Sequence, residues 1–198
     1  MKRISALSLI IFLYYSIALG ADMNPLREPG ERFTRILGID LMKDKLAEVI
    51  TKLGKASMVT KGDGAEYVGK VCYLIDESNT VIEFNEWELG AGFALRKGTT
   101  EDLTQCAPLN IKISSKPLEI NGLRLGTSKE EILRILGTPK MKTSNKWTYD
   151  FQGQAKAKNR REIARFGREG KYYWQFLIKI TFEHSVVSKL ELSPTVQT

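Results

Sequence analysis

The sequence predicts an α+β fold built as two tandem, diverged repeats, each a short helical part packed on an antiparallel β-sheet. Three observations predict it. Two amphipathic segments of helical length each stop at a glycine, Gly54 and Gly137. Each is followed by strand-like runs separated by turn residues. Several of those runs alternate apolar and polar residues, which suits a sheet with one covered side.

The chain opens with the three-part pattern of a secretory signal over residues 1–20. Lys2 and Arg3 supply the charge, Ile4 to Ala18 a mostly apolar run of 15 residues, and Ala18-Leu19-Gly20 the small residues before a cleavage. A helix needs about 20 apolar residues to cross a bilayer, so the run is short for a permanent anchor. No cysteine stands at position 21 to carry a lipid, and no later window is apolar enough to span a membrane. A mature chain in the periplasm or outside the cell is the expectation. In such an oxidising compartment Cys72 and Cys106, the only two cysteines, are expected to form one disulfide. A reactive cysteine would need a nearby base or a C-x-x-C partner, and the sequence offers neither locally.

The first repeat is placed in residues 21–110. Its helix is read over Leu41 to Gly54, with Met42, Leu46, Val49, Ile50 and Leu53 on one face, Asp40 as N-cap and Gly54 as stop. Strands follow over Glu66 to Ile75, Thr80 to Asn85 and Gly90 to Arg96, with a turn at Glu77-Ser78-Asn79. The second repeat is placed in residues 111–198. There Ser128 and Glu131 have the spacing of a capping box, Gly137 ends the helix and Pro139 forbids its continuation. Its strands are read over Lys146 to Gln152, Tyr172 to Glu183 and Val186 to Leu192, with a turn at His184-Ser185. Aligned on the stop glycines, Glu48, Leu53, Gly54 and Met58 match Glu131, Leu136, Gly137 and Met141.

From the stop glycine to Phe84 is 30 residues, and to Phe182 it is 45, so the second repeat carries about fifteen extra residues. Residues 154–171 are read as that insertion. They hold Lys156, Lys158, Arg160, Arg161, Arg165, Arg168 and Lys171 against Glu162 and Glu169. Without Lys2 and Arg3 the chain has 28 basic and 23 acidic residues, so the whole positive excess sits in this segment. A protein or an anionic envelope component is the partner such a segment suits, and the contact would be salt-sensitive. A solvated loop is the plainer reading. Nucleic acid is not expected, since the compartment is wrong and Phe166 alone interrupts the run as a stacking aromatic.

Residues Asn121 to Pro139, then Trp147-Thr148-Tyr149, then Ile180-Thr181-Phe182 and Val186 to Leu192 carry a family resemblance. They resemble the small α+β domain of SmpA/OmlA-type (BamE-like) outer-membrane assembly lipoproteins, a plan shared with the tandem-repeat beta-lactamase inhibitory protein. The match covers roughly residues 119–193, with a weaker echo over 37–96. It departs from the family in lacking the lipidated cysteine and in carrying the insertion. The resemblance implies a non-enzymatic module that binds other proteins, in envelope assembly or as an inhibitor; a fold carries over no particular partner.

No nucleophile elbow, H-E-x-x-H or C-x-x-C occurs, and the reading is non-catalytic with no metal and no cofactor. The alternative is a small secreted hydrolase acting on envelope polymers, which needs converging carboxylates or a positioned His184. His184, the only histidine, falls where a turn is expected. Lys61-Gly62-Asp63-Gly64 reads as a tight turn and not a phosphate loop. Asp76, Glu77, Glu83, Glu86 and Glu88 form an acidic stretch without metal-site spacing. Glu83 and Glu86 are expected to point outward, with the basic insertion as a conceivable partner. Trp147 and Trp174 are assigned to the core or its rim. Trp87, between two glutamates, joins the cations of the insertion as a candidate contact residue.

Overall fold

The computed structural model describes residues 29–61, 68–75, 79–87, 90–109, 111, 118–156 and 171–197. The predicted signal, residues 62–67 with the Gly62-Asp63-Gly64 turn, and residues 157–170 lie outside the described residues.

Four short helices and eleven strands are present among the described residues. Helix α1 (Pro29–Thr34) leads into a small hairpin, β1 (Arg35–Ile36) and β2 (Ile39–Asp40), turned by Leu37 and Gly38 at positive φ. Helix α2 (Leu46–Leu53) then precedes β3 (Val59–Lys61), β4 (Val68–Ile75), β5 (Thr80–Trp87) and β6 (Gly90–Lys97). A single turn, α3 (Asp102–Gln105), and β7 (Ala107–Pro108) complete the first half. Helix α4 (Lys129–Leu136) opens the second, followed by β8 (Met141–Lys142), β9 (Lys146–Lys156), β10 (Lys171–Glu183) and β11 (Val186–Gln197).

The expected pair of helix-on-sheet repeats is corrected by this topology. The protein is mostly β, with one large mixed sheet in the order β3-β4-β5-β6-β11-β10-β9-β8 and β7 running parallel to β4. Two separate sheets would each leave an exposed edge, at β6 and at β11. Those two strands instead pair antiparallel, Arg96 with Lys189 through Phe93 with Leu192. Pairing them satisfies backbone groups that an open edge would present to solvent or to another chain.

One face of the sheet carries the core. Val71, Tyr73, Ile82, Phe84, Phe93 and Leu95 on one side of the seam join Leu190, Leu192, Phe176, Ile178, Ile180, Trp147 and Tyr149 on the other in one buried cluster. Leu46, Val49 and Leu53 of α2 and Ile132 and Leu136 of α4 enter the same cluster. Both helices end as the glycines require: Gly54 and Gly137 have φ of 107° and 75°, a region that costs L-residues strain. Each glycine carbonyl accepts a tyrosine hydroxyl from the sheet, Tyr73 to Gly54 at 2.9 Å and Tyr149 to Gly137 at 3.1 Å. Burial pushes the Tyr149 hydroxyl up to about 12, so it stays a proton donor.

Helix α2 starts later than the sequence suggested. Asp40 lies in β2 and serves the following turn, its carboxylate accepting from the Met42 amide at 3.1 Å and its carbonyl from the Lys43 and Asp44 amides. The N-cap is Lys45, whose amide donates to Glu48 at 3.0 Å. In α4 the Ser128 hydroxyl accepts from the Glu131 amide at 3.2 Å. The Glu131 carboxylate accepts from Arg134.

Close approaches fix two further glycines. A Cβ at Gly90 would sit 2.0 Å from the carbonyl oxygen of Leu41, which accepts from the Ala91 amide. A Cβ at Gly153 would lie 2.3 Å from the ring of Trp174, its direct cross-strand neighbour, so the missing side chain lets the indole lie flat on the sheet. Gly153→Ala is therefore expected to displace Trp174, shift tryptophan emission and cost about 1–3 kcal/mol in urea unfolding. Unchanged emission and stability would contradict this packing.

Candidate binding surface

Strand alternation sends every second side chain to the face opposite the core. Cys72, Glu83, Ala94, Glu191, Lys179 and Thr148 stand opposite one another in turn across β4, β5, β6, β11, β10 and β9. The next row is Leu74, Val81, Arg96, Lys189, Thr181 and Lys146. These two rows define the second face, and its two ends differ.

The β4–β5 end is covered. Residues 98–109 fold back over it through α3, and Cys106 bonds to Cys72 with the Cα atoms 4.9 Å apart. The two sulfurs pack with Leu74 and Val81 in a small second apolar cluster. Arg96 stands beside it as a charged tie. Its guanidinium grips Asp102 through two hydrogen bonds of 2.6 and 2.7 Å and reaches Glu83 at 2.6 Å. Lys70 also donates to Glu83 at 2.8 Å, and the Thr99 amide and hydroxyl donate to Asp102.

This corrects the sequence reading of Glu83, which was expected to point into solvent. Glu83 and Asp102 are each 7 % exposed, Glu83 held by Lys70 and Arg96 and Asp102 by Arg96 and Thr99. The bonds from Arg96 and then Thr99 hold the Asp102 carboxyl well below the usual range despite burial. For Glu83 burial pushes upward, but hydrogen bonds from Lys70 and Arg96 outweigh it and the carboxyl falls below its ordinary value. Arg96 is raised, chiefly by its bonds to Asp102. Glu83 is thereby taken up locally by Lys70 and Arg96. Asp76, Glu77 and Glu88 lie outside the described residues.

The β9–β10–β11 end stays open among the described residues: Tyr173 is 60 % exposed, Lys179 and Lys146 are exposed, and Gln175, Leu177, Thr181, Glu191 and Ser193 are half-buried. Asp150 is held by Lys140 and accepts from Gln175 at 2.9 Å. Lys189 donates to Glu191 at 2.8 Å.

The residues singled out from sequence are distributed unevenly around this surface. Lys156 and Lys171 end β9 and β10, directly opposite each other in register. The strands thus run past the limits expected for them, and the long connection between them is residues 157–170. Lys158, Arg160, Arg161, Arg165 and Arg168 lie in that connection, outside the described residues. Trp87 is the last residue of β5, paired with Gly90, and not part of a turn. His184 is exposed at the β10–β11 turn with φ of 50°, and Ser185 follows at 66°. Among the described residues no group of three or more His, Cys, Asp or Glu is arranged to hold a metal ion.

Sequence reasoning passed over Arg96, Asp102, Lys146, Tyr173, Leu177 and Lys179. The alternation Ile178-Lys179-Ile180-Thr181-Phe182 did carry the signal, since a covered face implies an opposite one. The His184-Ser185 turn placed β11 beside β10, but which strand lies on the other side of β10 was not readable, and so neither was the surface.

Two outcomes follow for the covered end. Removing the disulfide as Cys72→Ser with Cys106→Ser is expected to cost about 3–4 kcal/mol in urea unfolding, from the unfolded-state freedom it releases. Arg96→Met leaves buried Asp102 without a cation and Glu83 with Lys70 alone, and is expected to cost about 3–5 kcal/mol near neutral pH. Because both carboxyls are lowered on folding, their stabilisation is complete above the ordinary carboxylate range, about pH 4–5, and is lost as pH falls through the folded values. Stability measured from pH 7 to 2 should fall less steeply in Arg96→Met than in the parent; parallel curves would contradict the tie. Compared with protein-family models, with curated proteins and with solved structures, the chain matches none of them.

Proposed function

We propose that the chain is an exported, non-catalytic module that binds another protein through the uncovered face of β9, β10 and β11. The observation that carries this reading is a sheet face, open among the described residues, with an exposed tyrosine, a half-buried leucine, a half-buried amide and two lysines outside any ion pair there. Tyrosine supplies large contact area at low entropic cost, and a mixture of apolar, amide and charged groups is the make-up of a protein-binding patch. The disulfide supports the export part of the reading, because such bonds persist in oxidising compartments. Kinship with the SmpA/OmlA-type domains belongs to the proposal and rests on Gly126 to Pro139, Trp147 to Tyr149 and the closing hairpin. A role in envelope assembly or in inhibiting a secreted enzyme fits the same surface.

Capture from an envelope extract tests it. Tyr173→Ala with Leu177→Asp is expected to lose the captured protein, whereas Leu133→Ala on the exposed side of α4 is expected to retain it. Retention by the sheet-face variant, with its fold shown intact by circular dichroism, would overturn the reading.

A further inference from the structure

Charge is not evenly spread on the open face. Lys189 donates to Glu191, Lys179 stands directly opposite Glu191 on β10, and Lys146 lies one strand further on β9. Lys146 pairs with Thr181 and Lys179 with Thr148, so the two are diagonal neighbours, roughly 7–8 Å apart by strand geometry. Neither makes an ion pair among the described residues, and both are exposed. Glu183 is exposed at the turn beyond this row, and Asp150 is already held by Lys140. Tyr173 and Leu177 precede Lys179 along β10 on the same face.

We propose that the partner presents an acidic protein segment, whose carboxylates lie over Lys146 and Lys179 while an apolar side chain meets Tyr173 and Leu177. This rests on the sheet-face reading above. It deepens that reading by assigning the partner's charge. With Asp150 taken by Lys140 and Glu191 by Lys189, Lys146 and Lys179 are left outside any ion pair among the described residues, cations that a partner's Asp or Glu would neutralise, and such complementarity sets orientation and association rate. Tyr173 with a half-buried Leu177 is little apolar area to insert into a bilayer but enough to pack one side chain, which favours a protein over a phosphate surface.

Poly-glutamate and phosphatidylglycerol vesicles are the two defined probes, read by amide shifts in heteronuclear NMR at low salt. Poly-glutamate is expected to shift the amides around Lys146 and Lys179. K146E/K179E should weaken the titration about tenfold or more, while K146R/K179R keeps it. Carbodiimide coupling in the envelope extract should then join Lys146 or Lys179 to an Asp or Glu of the captured protein. Poly-glutamate shifts confined to other regions, or vesicles that shift this face while poly-glutamate does not, would overturn the proposal. If K146E/K179E retains the captured protein and Tyr173→Ala with Leu177→Asp loses it, the acidic partner is wrong and the sheet-face reading stands; if both retain it, both fail.

Discussion

Four residue pairs between β6 and β11 hold the two halves of this molecule in one sheet. Phe93 with Leu192 and Leu95 with Leu190 turn inward at the seam and bury almost completely. Ala94 with Glu191 and Arg96 with Lys189 turn outward. Inside, the seam makes one core from residues that two smaller sheets would each have buried less well, since small cores are hard to stabilise. Outside, it aligns the Arg96 tie of one half with the lysine row of the other. Past the seam β11 has only β10 beside it among the described strands, and Pro194, which has no amide to donate, is found there.

The two faces of the sheet consequently have different tasks. The inner face takes α2 and α4, with Tyr73 and Tyr149 tying each helix end to a strand. The outer face is sealed at β4 and β5 by a covalent bond and a buried charge cluster. Sealing there takes up Glu83 and Asp102. At β9 to β11 nothing comparable is present among the described residues, and Lys146, Lys179 and Tyr173 meet solvent. Among the described residues the buried acids are paired, Glu83 and Asp102 with Arg96 and Lys70 and Asp150 with Lys140.

Much of the local structure was legible in the sequence. Gly54 and Gly137 ended their helices, Ser128 capped α4, the His184-Ser185 turn joined two strands, and the two cysteines paired. These are short-range signals, written in residues a few positions apart. The errors came from competition and from distance. Asp40 had two structures it could serve and was taken by the turn before α2. Glu83 looked solvent-facing because nothing near it in sequence announces Arg96, thirteen residues on, or the return of Asp102 over the strand. The single sheet was missed for the same reason, since the pairing of Arg96 with Lys189 joins positions more than ninety residues apart. The open face could be inferred only as the complement of the covered one.

Native-state hydrogen exchange at the seam addresses the central claim most directly. One continuous sheet requires the hydrogen-bonded amides within Phe93–Arg96 and Lys189–Leu192 to exchange with the same opening free energy as those of β4 and β10, in a single global transition. Seam amides that exchange freely while β4 and β10 stay protected, each half with its own opening energy, would contradict it.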